Sequence, residues 1–531
     1  MLSSWIEPAA GTFRHRLFGS RIYDLSLQGS AALDVRPLPV TFPGDREQGA
    51  AFAVGEIASI FEALEQQQAT RGVHCFDWLP TLAASGLGTA PGLARGLTEA
   101  WIRNFGSWTA EAWQSDVLAE RVTNWLLYYG FLMTGETGTF SPLCHRALSR
   151  QVTHLRRALW LGARPSDGLA VAKGLIHAGT GIDGYSDTLR QGLMVLDRSI
   201  GSEILADGCH LSRNPSQQLS ALAALLQVRT VLIDRHIPPP DPLNNAIDRM
   251  VPMLRAFRHG DGRLAVFNGS NENDREPIDR VIERSGVRGR AVVNARYGGF
   301  QRLKCKNTLV IVDTGPTNLD PQPDGGHASA LAFEMSVGKN RVVVNCGQTT
   351  GSGALREMLR GTAAHSTVTI GDRNSCELVP GGGYGERQSY STDSVRREID
   401  GNVLVELEHD GYRQSFGVSH RRSLYLSADG NDLRGEDIIR GERASEASIR
   451  FHLHPSVKVS LVGGGESVLL RFGRSQGWRF RAAPGTIALE ESLYFGEGER
   501  RKSNQIVVSN DRPESDRPIK WRISRESSPS A

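Results

Sequence analysis

Between about residues 50 and 255, apolar residues recur at i, i+3, i+4 and i+7. The segments GAAFAVGEIASIFEALEQQQ, RVTNWLLYYGFLM, SRQVTHLRRALWLG, DTLRQGLMVLDRSIGSEIL and QLSALAALLQVRTVLI all carry this spacing, which predicts amphipathic helices. The breaks between them are short and hold Gly, Pro, Ser or Asp, as in GARPSDG, GTGIDG and HIPPPDP. Successive helices on short links build a bundle, a solenoid or an α/α toroid. No repeat of fixed period is visible, which makes the solenoid the weakest of the three.

The period changes near residue 260. RLAVFNG, TLVIVDTG, ALAFEMSVG, RVVVNCG, HSTVTIGD, NVLVELEHDGY, RSLYLSADG, VKVSLVGGG, SVLLRFG and IALEESLYF are short runs of period two separated by Gly, Asn and Asp turns. They predict a large antiparallel β-sandwich. The fold class read from the chain is therefore α+β and multidomain. We expect an N-terminal extension over 1–45, a helical domain over 46–258, a sandwich over 259–525 and a disordered Ser/Pro-rich tail over 526–531.

A chain of 531 residues is long enough for two large cores, and 39% hydrophobic with 22% charged residues excludes a disordered or coiled-coil chain. No apolar run reaches the roughly 20 residues of a bilayer span, and the first residues show no apolar secretory core. The net charge of +3 is too mild to point to nucleic acid. Only seven of the 61 basic residues are Lys, and Arg forks suit carboxylates and sulfates, a weak pointer to an acidic polymer. Six scattered Cys without a CxxC pair form no disulfide framework.

Four segments concentrate polar residues that alternation does not explain. In ADGCHLSRNPSQQLSAL, His210, Arg213, Asn214 and Gln217 fall between two helices, with Asn214-Pro215 doubling as a helix cap. In GGHASALAFEMSVGKNRVVVNCG, His327 enters a strand and Asn345 ends the next. In GTAAHSTVTIGD, His365 opens a strand, and His327 and His365 could meet across neighbouring strands. In ELEHDGYRQSFGVSHRRSLYLSADG, His409 and Tyr412 flank a HDGY sequence that equally reads as a tight turn. There is no nucleotide loop, no GxSxG and no HExxH, and no Asp/Glu pair suggests glycoside hydrolysis.

Taken together, DGCHLSRNPSQQL, FRHGDGRLAVFNG, GHASALAFEMSVGKNRVVVNCG, AAHSTVTIGD, HDGY and HRRSLYLS resemble the heparinase II/III-like family, over roughly residues 70–510. The resemblance implies an (α/α) toroid followed by an antiparallel β-sandwich. It also implies a polysaccharide lyase that cleaves an acidic, uronic-acid-containing polysaccharide or oligosaccharide by β-elimination in a cleft between the two domains. A cell-envelope or periplasmic location is implied too, against a first stretch without a signal pattern that would suit the cytoplasm. Nothing in the sequence speaks to oligomeric state.

Carried over position by position, the resemblance is mixed. The toroid motif D-G-x-H-x-E-R-S-P-x-Y-H matches at Asp207, Gly208, His210, Arg213 and Pro215, but Gln217 stands where the family's Tyr acts as base and acid, and Gln218 where its His follows. The strand motif H-G-H-A-D-A-L-S-F-E keeps only its second His, His327, with Gly325 in place of the first. His327, Asn345 and His365 occupy the positions of a metal-binding trio and imply a structural zinc weakened by a neutral Asn. The catalytic set implied for a working lyase is then His210 as neutraliser or base, Arg213 on the carboxylate, Gln217 at the lost base position, and His365 or Tyr384 from the sandwich. Asn214, His409 and Tyr412 would contact substrate. The alternative is a glycan-binding envelope protein that kept the fold and lost the base.

Overall fold

In the computed structural model the residues described are 3–163, 167–315, 326–349, 353–380, 383–385, 394–441, 446–473, 477–510 and 516–526. Position 325 and the tail from 527 onward, both named above, lie outside them. The chain divides into two compact units, residues 1–202 with 223–245, and residues 203–222 with 246–531. The polar segment that holds His210 to Gln217 thus belongs to the unit that carries the strands.

The first unit is helical. Ala90–Phe105, Ser115–Leu127, Phe140–Trp160 and Gly168–Gly181 each turn an apolar face inward. Phe76, Trp101 and Trp125 pack edge to face, with ring centroids 5.3–6.1 Å apart. Arg121 is buried beside them, 4.1 Å over Trp101, and donates to Gln151 and to the carbonyls of His74 and Ala112. Gly174 has no room for a side chain, since a Cβ there would lie 2.8 Å from the Ala119 carbonyl oxygen, and this lets two helices touch backbone to backbone. The expected N-terminal extension is itself partly helical, at Ser3–Phe18 and Arg21–Ser26.

The second unit is built on two antiparallel sheets. The first runs Asn294–Ala295, Phe300–Cys305, Thr308–Asp313, Phe333–Val337, Asn340–Val344, Ala447–Leu453, Arg501–Asn510 and Thr486–Tyr494, with Val368–Ile370 pairing onto Ala447–Leu453. The second runs Lys458–Val462, Ser467–Arg471, Trp478–Ala483, Ile519–Arg525, Asp432–Arg440, Ser419–Leu426, Asn402–His409 and Val395–Ile399. Thr308–Asp313 is buried at every position, which explains its unbroken apolar run. Asn402–His409 and Ser419–Leu426 alternate buried and part-exposed positions, so the second sheet keeps one wet face.

Two expectations fail here. RLAVFNG is not a strand and makes only an isolated bridge from Leu264 to Arg258. The following RE-PIDRVIERS is a helix, Arg275–Ser285, that buries Ile278, Val281 and Ile282 and ends on Gly286 at φ 73°. Its apolar residues repeat at i, i+3 and i+4, a helical period inside a region otherwise of period two.

Candidate functional site

Two loops of the second unit bring His327 and His365 together. His365 follows the short 3-10 turn Thr362–Ala364, and its Nδ1 lies 2.8 Å from the Gly361 carbonyl oxygen. A carbonyl only accepts, so Nδ1 carries the proton and Nε2 holds the lone pair. That Nε2 is 3.0 Å from His327 Nδ1, which must therefore be the donor. The remaining nitrogen, His327 Nε2, is then an unprotonated lone pair, and it is buried without a hydrogen-bond partner. Burial, ahead of His365 and the nearby Arg360 and Arg356, holds His327 well below the usual imidazole range, and burial brings His365 down to about 4. Both rings are neutral at physiological pH.

The loop around His327 is held from below. Arg360 donates to the carbonyls of Gly326, Val379 and Gly383, and Tyr384 donates its hydroxyl to the His327 carbonyl at 3.2 Å. A side chain at Gly326 would overlap the Tyr384 ring. Burial pushes the Tyr384 phenol far up, so it stays protonated, a poor acid and no base.

Further polar groups converge on the free nitrogen. A Cβ placed on Gly269 would lie 3.5 Å from His327 Nε2, 3.6 Å from Asn214 Nδ2 and 3.9 Å from Gln348 Cγ. Gly269 has φ 81°, so the close approach and the backbone both exclude other residues. Both amide atoms of Gln348, and Oδ1 of Asn268, are buried without hydrogen-bond partners. Such orphans cost free energy unless a ligand satisfies them. The site is thus neutral: one imidazole lone pair with carboxamides around it. Gln348 and Asn268 were missed in the sequence; only the Asn-Gly pair at 268–269 hinted at a special backbone, and Gln348 carries no local signal.

Of the other expected residues, Asn214 borders this site and the rest sit elsewhere. Asn214 caps the helix Pro215–Asp234, accepting from the Ser216 and Gln217 N–H groups at 2.8 and 3.1 Å, and reaches Asn268 O at 2.8 Å. Gln217 is exposed. Arg213 is buried in an ion pair with Asp313 and donates to Gly298 and Gly299 carbonyls, so its guanidinium is a structural cation and not a grip for a substrate carboxylate. His210 accepts the Ser212 N–H on Nδ1 at 3.2 Å and turns Nε2 towards Glu203 at 3.8 Å, which leaves no lone pair for a base. His409 and Tyr412 are no more than 1% exposed. Tyr412 donates to Val368 O, and His409 joins a chain through His420 to Asp437. Both are core groups whose polar atoms are engaged within the fold.

The expected metal trio does not fit a zinc ion. Asn345 accepts the Ser366 N–H at 3.0 Å and donates to Val266 O and Glu334, each at 3.2 Å. Its oxygen is occupied, and His365 Nε2 is engaged by His327. Among the described residues, Glu272, His454 and Glu497 bring ligand atoms within 4.8 Å of one another. Arg263 and Arg341 face that Glu272 carboxylate at 3.2 and 3.5 Å, which disfavours a cation there.

Residues 287–522 match the family described as heparinase II/III-like, C-terminal. The chain is 29% identical over 552 aligned positions to FtsZ-localized protein C of Caulobacter vibrioides, covering 97% of this chain and 95% of that protein. Among solved structures it is similar to heparinase III at a TM-score of 0.69 and 15% identity, covering 86% of this chain and 77% of that one. It is also similar to a mutant heparan sulfate lyase from Pedobacter heparinus at a TM-score of 0.62, 15% identity and the same coverage. At these identities the likeness is one of fold: an (α/α) toroid followed by an antiparallel β-sandwich.

Proposed function

For a chain whose residues 287–522 match the heparinase II/III-like C-terminal family, we propose a polysaccharide lyase that cleaves a uronic-acid-containing glycan by β-elimination at His327. The observation that carries this reading is the unpartnered lone pair of His327 Nε2, oriented by His365. In the reaction, Nε2 removes the proton α to the uronate carboxylate. The electron pair forms the new double bond as the bond to the 4-oxygen breaks, and the departing oxygen takes that proton back from the protonated His327 Nε2. Gln348 and Asn214 carboxamides are the groups available to stabilise the enolate-like charge. A buried imidazole of depressed pKa is a weak base, so turnover is slow and persists into mildly acidic solution.

The test is absorbance of the unsaturated uronate product on heparan sulfate, alginate and hyaluronan, for the parent chain and His327→Ala. Product formed by the parent and abolished in the variant is expected. No product on any polymer, or an unaffected variant, overturns the reading.

A second reading is favoured by Gln217, which occupies the base position with an exposed amide unable to take a proton. In it, the pocket binds a glycan without cleaving it, in a protein related to one named for its localisation with FtsZ. Binding lost in His327→Ala, with no product from the parent, selects this reading.

A further inference from the structure

The wet face of the second sheet carries a feature that the pocket does not use. Arg434, Arg522 and Arg481 lie directly opposite one another on three adjacent strands, as register pairs Arg434↔Arg522 and Arg481↔Arg522. Like charges placed opposite on neighbouring strands repel, so such a row is costly unless an anion completes it. Their heads remain in water: the side chains of Arg434 and Arg522 are 58% and 49% exposed, and Arg481 is exposed as well. One carboxylate, Asp432, serves two of them, with 2.7 Å to Arg434 and 2.6 Å to Arg522. Arg481 is in no ion pair among the described residues. Arg434 is also braced 5.4 Å over the Tyr425 ring.

These side chains line a groove on the outer face of the sheet, while the neighbouring Gly435 and Trp521 turn to the buried face, where a Cβ on Gly435 would overlap the Trp521 indole. Lys520 and Arg479 extend the positive face on either side, each beside one carboxylate, Glu436 and Glu526.

We propose that this row is a docking track for an acidic polysaccharide laid across the strands, separate from the His327 pocket. Adjacent strands set the Arg backbone positions about 4.8 Å apart, a repeat of roughly one sugar ring. An extended acidic peptide presents like-facing side chains only every second residue, about 6.6 Å apart, and falls out of step with the row. Planar guanidinium forks match the carboxylates and sulfates of such a glycan. The track shares its polymer class with the proposed function, yet neither its residues nor its chemistry depend on cleavage.

The experiment is calorimetric titration of the full chain with heparin-derived tetrasaccharide and octasaccharide, at low and high salt. Affinity that grows with length and falls with salt is expected. The triple variant Arg434→Ser/Arg481→Ser/Arg522→Ser should weaken octasaccharide binding by about tenfold or more, the loss of several charge-assisted contacts. If the triple variant does not fold, Arg481→Glu alone must still weaken binding. Unchanged octasaccharide affinity in these variants overturns the track. A poly-glutamate peptide that displaces the octasaccharide at equal charge overturns it in favour of a protein partner.

Discussion

Arg213→Met decides whether this residue serves the substrate or the fold. The substitution keeps the apolar length of the side chain and removes its charge. Arg213 is 5% exposed, pairs with Asp313, donates to the Gly298 and Gly299 carbonyls, and stands 5.0 Å over the Phe300 ring. Asp313 is 1% exposed and, among the described residues, keeps the Ser329 hydroxyl at 2.8 Å and the Gly315 N–H at 3.1 Å once the Arg is gone. Removing one partner of a buried pair leaves an uncompensated charge, at a cost of about 3–5 kcal/mol. For a unit of roughly 300 residues this lowers the melting midpoint by about 5–8 °C. Differential scanning calorimetry reads it directly, as the shift of the transition assigned to the strand-bearing unit. The double variant Arg213→Met/Asp313→Leu should recover much of the loss, because an apolar pair of similar volume replaces a buried ion pair at little cost. An Arg213→Met protein that melts with the parent yet loses glycan binding refutes the structural assignment and returns Arg213 to the substrate.

Two further expectations concern the buried polar groups. His327, His365, His409, His420 and His452 are all held below the usual imidazole value, burial being the first cause in each. The folded state keeps them neutral while the unfolded chain protonates near pH 6.5, so their contribution is full above that pH and is lost as pH falls below it, by up to about 1.4 kcal/mol per pH unit for each. The urea midpoint should fall from pH 7.5 to 5.5, and a flat or rising midpoint contradicts the assignment. Asp437 does not mask this, because its carboxyl is held low by Arg422 and His420 against the effect of burial and titrates only in stronger acid. Tyr412→Phe removes the hydroxyl bonded to Val368 O and should cost about 1 kcal/mol, read by urea unfolding, with glycan binding unaltered; weakened binding at unchanged stability would restore Tyr412 to a substrate surface.

The change of apolar period near residue 260 is a local property, and the helical and β regions could be read from it. Hydrophobic runs such as TLVIVD and NVLVELEH specify their strands because side-chain direction in a strand follows from position alone. The helix Arg275–Ser285 was missed because its signal is only 11 residues long and lies among strand patterns. His327 and His365 could be singled out, since each opens a strand with a polar residue that alternation does not require. Their partnership could be raised as a possibility, but which nitrogen stays free could not, because that depends on the Gly361 carbonyl.

What residue types alone determined is the class of fold and a short roster of chemically able side chains. Tertiary structure decided which of them are free to act. Arg213, His210, His409 and Asn345 have suitable chemistry, but Asp313, Glu203, His420 and Glu334 already occupy them. Gln348 and Asn268 have unremarkable sequence contexts, but packing leaves their polar atoms without partners. The physical reason is that hydrogen-bond capacity is finite and is spent between residues far apart in the chain. A sequence lists donors and acceptors, and only the folded chain shows which remain unsatisfied.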